Sequence, residues 1–187
     1  MHDESLSGVH VAHYRLDEVL GQGTLGTVYR GHDTVLDRPV AVKAFARVLD
    51  PARGLAAARR IGRWRHPHII GLHYAAVISE QLYLVMDYVE GQHLGDLLTA
   101  YAADGTRMPH DHVLVIGTAL ARALDYAHAD GVVHRMVHPH QVLIGADDTI
   151  VLTDFSLALD QQRGTAGHVF GTTPYHAPEL ISRSAAV

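Results

Sequence analysis

The sequence predicts an α+β fold in two parts, a β-rich lobe followed by a helical one. Three observations carry this. As far as about Tyr88, short runs of β-branched and aromatic residues alternate with Gly- and Asp-rich turns. From Gly91 the apolar spacing changes to three and four residues, the period of an amphipathic helix. The length of 187 residues, 48% of them apolar, suits one domain with a substantial core, or one domain and part of another.

Taken in order, Tyr14 to Leu20, Thr27 to Gly31 and Val40 to Phe45 read as strands. Asp50-Pro51 reads as a helix start, with the carboxylate as cap and proline in the first turn. That helix is expected to reach about Trp64, weakened by Gly54 and Gly62, and to end at His66-Pro67. Two further strands follow, Ile69 to Val77 and Gln81 to Tyr88. Leu94, Leu97 and Leu98 fit a short helix. His110 to Ala129 fits a long one, with Val113, Ile116, Leu120, Ala123, Leu124 and Ala127 on one face and Gly131 closing it. Val142 to Ile144 and Ile150 to Thr153 read as strands around the turn Gly145-Ala146-Asp147-Asp148. The stretch from Ser156 to Val187 shows no periodic segment. The organisation expected is a tail over 1–13 and a domain over 14–187, divided into a small lobe (14–85), a hinge (86–91) and a partial large lobe (92–187).

Composition removes several classes. Fifteen basic and twenty acidic residues give a formal charge of −5, which excludes a generally basic nucleic-acid binder. The absence of cysteine excludes disulfides, thiolate metal sites and a Cys nucleophile. No apolar run approaches the ~20 residues of a membrane span, and the start lacks a signal pattern. The expectation is a cytoplasmic protein. Sixteen histidines mean that full protonation would carry the formal charge from −5 to +11. They form three His-X-His pairs, His66/His68, His110/His112 and His138/His140. A metal site needs three or four convergent ligands, so solvated histidines are the preferred reading.

Lys43 is the only lysine, against fourteen arginines. A compact ammonium suits a point contact to phosphate better than a guanidinium does. Upstream, Gly21, Gly23 and Gly26 lie between two strands. Glycines there admit close approach of a phosphate chain to backbone N–H groups. The strand-to-strand setting argues against a dinucleotide fold and against a Walker loop. A Gly-rich hairpin beside a lysine on the next strand makes a plausible phosphate clamp.

With these residues in place, the chain resembles the eukaryotic-type Ser/Thr protein kinases from about Tyr14 to Leu180. The ordered motifs are Gly21/Gly23/Gly26, Val-Ala-Val-Lys43, His66-Pro67, Leu84-Val-Met-Asp-Tyr-Val89, His134-Arg135, Asp154-Phe155, Gly171-Thr172 and Ala177-Pro178-Glu179. The resemblance implies a protein-kinase-like bilobal fold that binds ATP with Mg²⁺. It implies Lys43 on the α/β-phosphates and Asp154 on the metal. It also implies Met86 as gatekeeper, the backbones of Asp87 and Val89 on the adenine edge, and Val28, Ala41 and Leu143 around the adenine ring. Ile61, Leu72, His134 and Phe155 match an apolar column joining the lobes. Arg135 is matched to an activation-loop phosphate, with Thr165, Thr172 and Thr173 as candidate acceptors; a loop-shaping role is preferred for Thr172 and Thr173.

The catalytic pattern breaks at several positions. Met136 occupies the place of the catalytic Asp, and methionine cannot accept a proton. His138 replaces the Lys that steadies the transferred phosphate. Gln141 replaces the metal-binding Asn with one more methylene, a poor substitute for an ion that tolerates little departure from octahedral geometry. Ala57 falls where a helix Glu would pair with Lys43, and no acid lies between Arg53 and Pro67. Lys43 would then pair with Asp154 or a ligand. Ser156 replaces the Gly after Asp154-Phe155. Only eight residues follow Glu179, so the large lobe is expected to be truncated, with one face of the 110–129 helix uncovered. These departures imply a pseudokinase acting through contacts with an unknown protein partner. A slow Ser/Thr kinase and a non-functional fragment are the alternatives.

Overall fold

The computed structural model describes residues 6, 8–23, 26–46, 50–155 and 175. The chain divides into two compact units, Met1–Trp64 with Gly71–Tyr88, and Arg65–Ile70 with Val89–Val187. The expected motif positions Ser156, Thr165, Gly171 to Thr173 and Ala177 to Glu179 lie outside the described residues.

The first unit is built on a six-stranded antiparallel sheet. Its strands are β1 (His10–Val11), β2 (Tyr14–Gly23), β3 (Gly26–Asp33), β4 (Arg38–Phe45), β5 (Leu72–Ile78) and β6 (Gln81–Asp87), ordered β1-β2-β3-β4-β6-β5. β4 and β6 are interior strands, with six of eight and five of seven residues buried. Alternation sends Val40, Val42 and Ala44 to one face, where they join Leu16, Tyr29, Tyr83 and Val85 in an apolar cluster. Burying each such side chain contributes about 1.5–3 kcal/mol. The segment expected as a tail takes part in this face. β1 pairs with β2, Val11 is buried, and Leu6 packs against the cluster.

On β5 and β6 packs α1 (Pro51–Ile61). It begins as the sequence predicts, the Asp50 carboxylate accepting the Arg53 N–H at 3.1 Å. It stops three residues short of Trp64, at Gly62, whose N–H closes on the Ala58 carbonyl. β5 also starts later than predicted. Ile69 forms an isolated bridge with Leu152, and the Ile70 N–H goes to the Leu152 carbonyl, so both residues belong to the second unit.

Asp33 ends β3 with its side chain buried, a costly position unless its oxygens are occupied. Oδ1 accepts the Val35 and Leu36 N–H groups, and His13 and Arg38 each approach the carboxylate to 3.5 Å. Burial pushes its pKa up, but these donors and cations outweigh it and hold the carboxyl below its ordinary range.

The second unit carries a three-stranded sheet of β7 (Gly91–His93), β8 (Val142–Gly145) and β9 (Ile150–Leu152), with α2 (Leu94–Ala103) and α3 (His110–Ala129). α3 matches its predicted bounds, and Gly131 follows it at φ +68°, the left-handed conformation that favours glycine. Ile116, Ala119, Ala123 and Ala127 form its buried stripe. Val113 was expected on that face but is exposed, as are Leu114 and Val115.

Candidate functional site

In the first unit the glycine-rich hairpin lies beside the lysine strand. Gly21 pairs with Val28 and Gly23 with Gly26 across β2 and β3, and Val28 in turn pairs with Lys43 on β4. The three glycines are not equivalent. Gly26 has φ +142°, and an added Cβ would come within 2.1 Å of the Ala44 carbonyl oxygen. At Gly21 and Gly23 a Cβ would meet nothing within 4 Å. Only Gly26 is therefore demanded by the fold itself, and the other two leave the strand surface open.

Lys43 is buried, and its Nζ sits 5.0 Å from the centroid of the Phe45 ring, two residues along the same face. Its strand neighbours are Val28 and Leu84. Ala41 pairs with Met86, so these two, both buried, are held side by side at the start of the 86–91 segment. α1 carries no carboxylate, and Ala57 stands within it as the spacing predicted.

Asp87 ends β6, and its carboxylate turns back to β5. Oδ2 accepts the Gly71 N–H at 2.9 Å and Oδ1 lies 2.7 Å from His73 Nε2. Sequence reasoning missed this contact. The one local signal was a glycine and a histidine two apart ahead of a strand, which carries no information about register.

In the second unit the catalytic-loop positions are organised by histidines. His134 is buried; its Nε2 lies 2.8 Å from the Thr153 carbonyl, and its Nδ1 accepts the Met136 N–H at 3.2 Å. A carbonyl can only accept, so Nε2 carries the proton and Nδ1 does not. The same turn recurs twice. His66 Nδ1 accepts the His68 N–H at 3.1 Å, and His138 Nδ1 accepts the His140 N–H at 3.2 Å. Two of the three His-X-His pairs thus act as side-chain turn caps, in the manner usual for Asp and Asn. Among the described residues, no group of three or more His, Cys, Asp or Glu is placed to hold a metal ion.

Burial pushes the His134 imidazole down from its ordinary value, against the opposing pull of the Thr153 carbonyl and Asp154. Burial likewise lowers His66 and His93. His93 Nδ1 is a buried nitrogen with no hydrogen-bond partner among the described residues. His134 also meets Phe155 edge-on, with centroids 4.7 Å apart. Arg135 and Asp154 adopt φ of +66° and +56°, uncommon for residues with a Cβ.

Gln141 is buried, at the end of a single 3₁₀ turn, Pro139–Gln141, capped by His138. Its Oε1 accepts the Thr153 hydroxyl at 3.0 Å, and its carbonyl accepts the Thr153 N–H at 2.9 Å. Leu143 lies on β8 between His93 and Val151. Val89, half-buried, lies near Gly145, whose added Cβ would meet the Val89 side chain at 3.4 Å.

Residues 14–186 match the protein kinase domain family. The chain is 37% identical over 189 residues to serine/threonine-protein kinase PknE of Mycobacterium tuberculosis, covering 97% of this chain and 33% of that protein. It is 38% identical over 177 residues to PknH of the same species, covering 90% and 28%. It therefore spans about a third of the length of these curated relatives. Among solved structures it resembles the Mycobacterium tuberculosis PknI kinase domain, with 33% identity and a TM-score of 0.68 over 81% of this chain and 63% of that one.

Proposed function

Because the chain belongs to the protein kinase family, in its bacterial Ser/Thr branch, we propose that it is a nucleotide-binding pseudokinase that regulates by contact. The observation that carries this is Met136. It stands where the family has its proton acceptor, and a thioether has no basic group to offer a substrate hydroxyl. ATP is the proposed ligand, with Lys43 on its phosphates, Gly21, Gly23 and Gly26 along the phosphate chain, and Val28, Ala41 and Leu143 around the base. The open strand surface at Gly21 and Gly23 and the position of Lys43 next to Val28 support the phosphate part of this assignment.

Mg²⁺ fits less well. Gln141 Oε1 already accepts the Thr153 hydroxyl, which leaves Asp154 as the one carboxylate the family pattern supplies. An ion that demands near-octahedral oxygen ligation at about 2.0–2.1 Å is poorly served by that pair. No catalytic step is assigned through it.

The test uses the single lysine. An acyl-nucleotide probe that modifies amines beside bound nucleotide should label Lys43, and excess ATP should suppress the labelling. Labelling of Lys43 that ignores ATP overturns the nucleotide reading. Phosphorylation of a basic protein substrate by the wild type, abolished by Asp154→Ala, overturns the pseudokinase reading and leaves a slow kinase.

A further inference from the structure

We propose that Gly71, His73 and Asp87 form a clasp that sets the base preference of this chain by pinning Asp87 at the end of β6. The inference rests on the nucleotide reading above.

Four observations converge on the same few atoms. The Gly71 N–H donates to Asp87 Oδ2 at 2.9 Å, and the Asp87 N–H donates to the Gly71 carbonyl at 2.9 Å, a reciprocal pair. His73 Nε2 lies 2.7 Å from the other carboxylate oxygen, Oδ1. The strand register slips at this point. Leu72 pairs with Met86 and Tyr74 with Val85, so His73 is the extra residue of a β-bulge, the device by which a strand re-aims one side chain. Finally, a Cβ on residue 71 would come within 2.3 Å of Asp87 Oδ2, so the carboxylate occupies room that only glycine leaves.

Such an arrangement is more than a surface ion pair, which alone would contribute little. The backbone N–H and both carboxylate oxygens of one residue are tied to Gly71 and His73, which pins the Asp87 Cα from which its carbonyl, part of the following peptide, projects. In the proposed complex that backbone meets the adenine edge. A carbonyl there can accept only from the exocyclic 6-amino group, whereas hypoxanthine presents an oxygen at the same place. A carbonyl projecting from a pinned residue therefore favours ATP over ITP; one whose residue is free to shift loses that preference. His73 acts as a positioning residue, since its contact is with Asp87 and not with nucleotide.

Titration calorimetry of the full chain with ATP and with ITP tests this. The wild type should prefer ATP. His73→Phe should lower that preference by about five- to tenfold, the worth of one net hydrogen bond, mainly by weakening ATP. His73→Gln, which retains an N–H donor, should keep it. Asp87→Leu, of similar shape, is the second variant and should lose it, because an apolar side chain can accept from neither Gly71 nor His73. An unchanged ATP:ITP ratio in His73→Phe or Asp87→Leu, with ATP still bound, overturns the clasp and leaves the nucleotide reading standing. A wild type that binds neither nucleotide overturns that reading, and base selection falls with it.

Discussion

Gln141 and Thr153 are joined three times: the Thr153 hydroxyl reaches the Gln141 amide oxygen at 3.0 Å and the Gln141 backbone carbonyl at 3.3 Å, and the Thr153 N–H reaches that carbonyl at 2.9 Å. We propose that the extra methylene of Gln141 lets its amide reach Thr153, and that this contact has been taken in exchange for the metal-ligating task of the family's Asn. Gln141→Asn should therefore destabilise the protein by about 0.5–1.5 kcal/mol, the value of a net hydrogen bond. A melting curve on wild type and variant measures it; an unchanged midpoint refutes the exchange.

Met136→Asp combined with Gln141→Asn and Ala57→Glu returns a base, a shorter amide and a carboxylate on α1. If the departures from the family pattern are what silence the chain, phosphate transfer to a protein substrate should rise by about 10²–10⁴-fold from the base alone. Radiolabel incorporation reads this directly.

The glycines of the hairpin should respond unequally. Gly26→Ala places a methyl group 2.1 Å from the Ala44 carbonyl in a left-handed backbone, and a loss of about 1–3 kcal/mol is expected. Gly21→Ala meets nothing within 4 Å and should change stability by less than about 0.5 kcal/mol. Denaturant midpoints for the two variants provide the comparison.

Acid should weaken the fold through its buried histidines. His134, His66 and His93 are all held below their ordinary value of 6.5, chiefly by burial. Above 6.5 the imidazoles are neutral folded or unfolded, and pH is without effect through them. As pH falls below 6.5 the unfolded chain takes up protons first, so stability declines until the folded pKa values are passed. For His134 the proton would also land on Nδ1 and expel the Met136 N–H. His134→Phe should lose about 1–3 kcal/mol at pH 7.5, because the Thr153 carbonyl and the Met136 N–H lose their partner. It should also flatten the decline between pH 6.5 and 5. Urea titrations at several pH values would show both.

What the sequence made legible was long and local. The bounds of α3 could be read because twenty residues repeat one period and Gly131 stops them at φ +68°. The start of α1 could be read because Asp50 and Pro51 act within one turn. β7 was missed because Gly91–His93 has no strand pattern of its own and exists through its pairing with β8. β1 was missed for the same reason, its two residues being ordered by β2 and by the cluster above it. The motif residues were legible as a set, but the Asp87 carboxylate was not, since its partners depend on a one-residue slip in β5. The histidine turns could have been found: an imidazole followed two residues later by an N–H donor is a local pattern, and it holds at His66, His134 and His138.

The solitary lysine has one more consequence. Every other basic side chain is a guanidinium or an imidazole, so Lys43 is the only side-chain primary amine, and it is 5% exposed in the centre of the sheet. An amine-reactive ester applied in a short pulse would thus score the opening of a single central strand, one molecule at a time. The protein carries its own unfolding counter, and mass spectrometry can read it without any introduced residue.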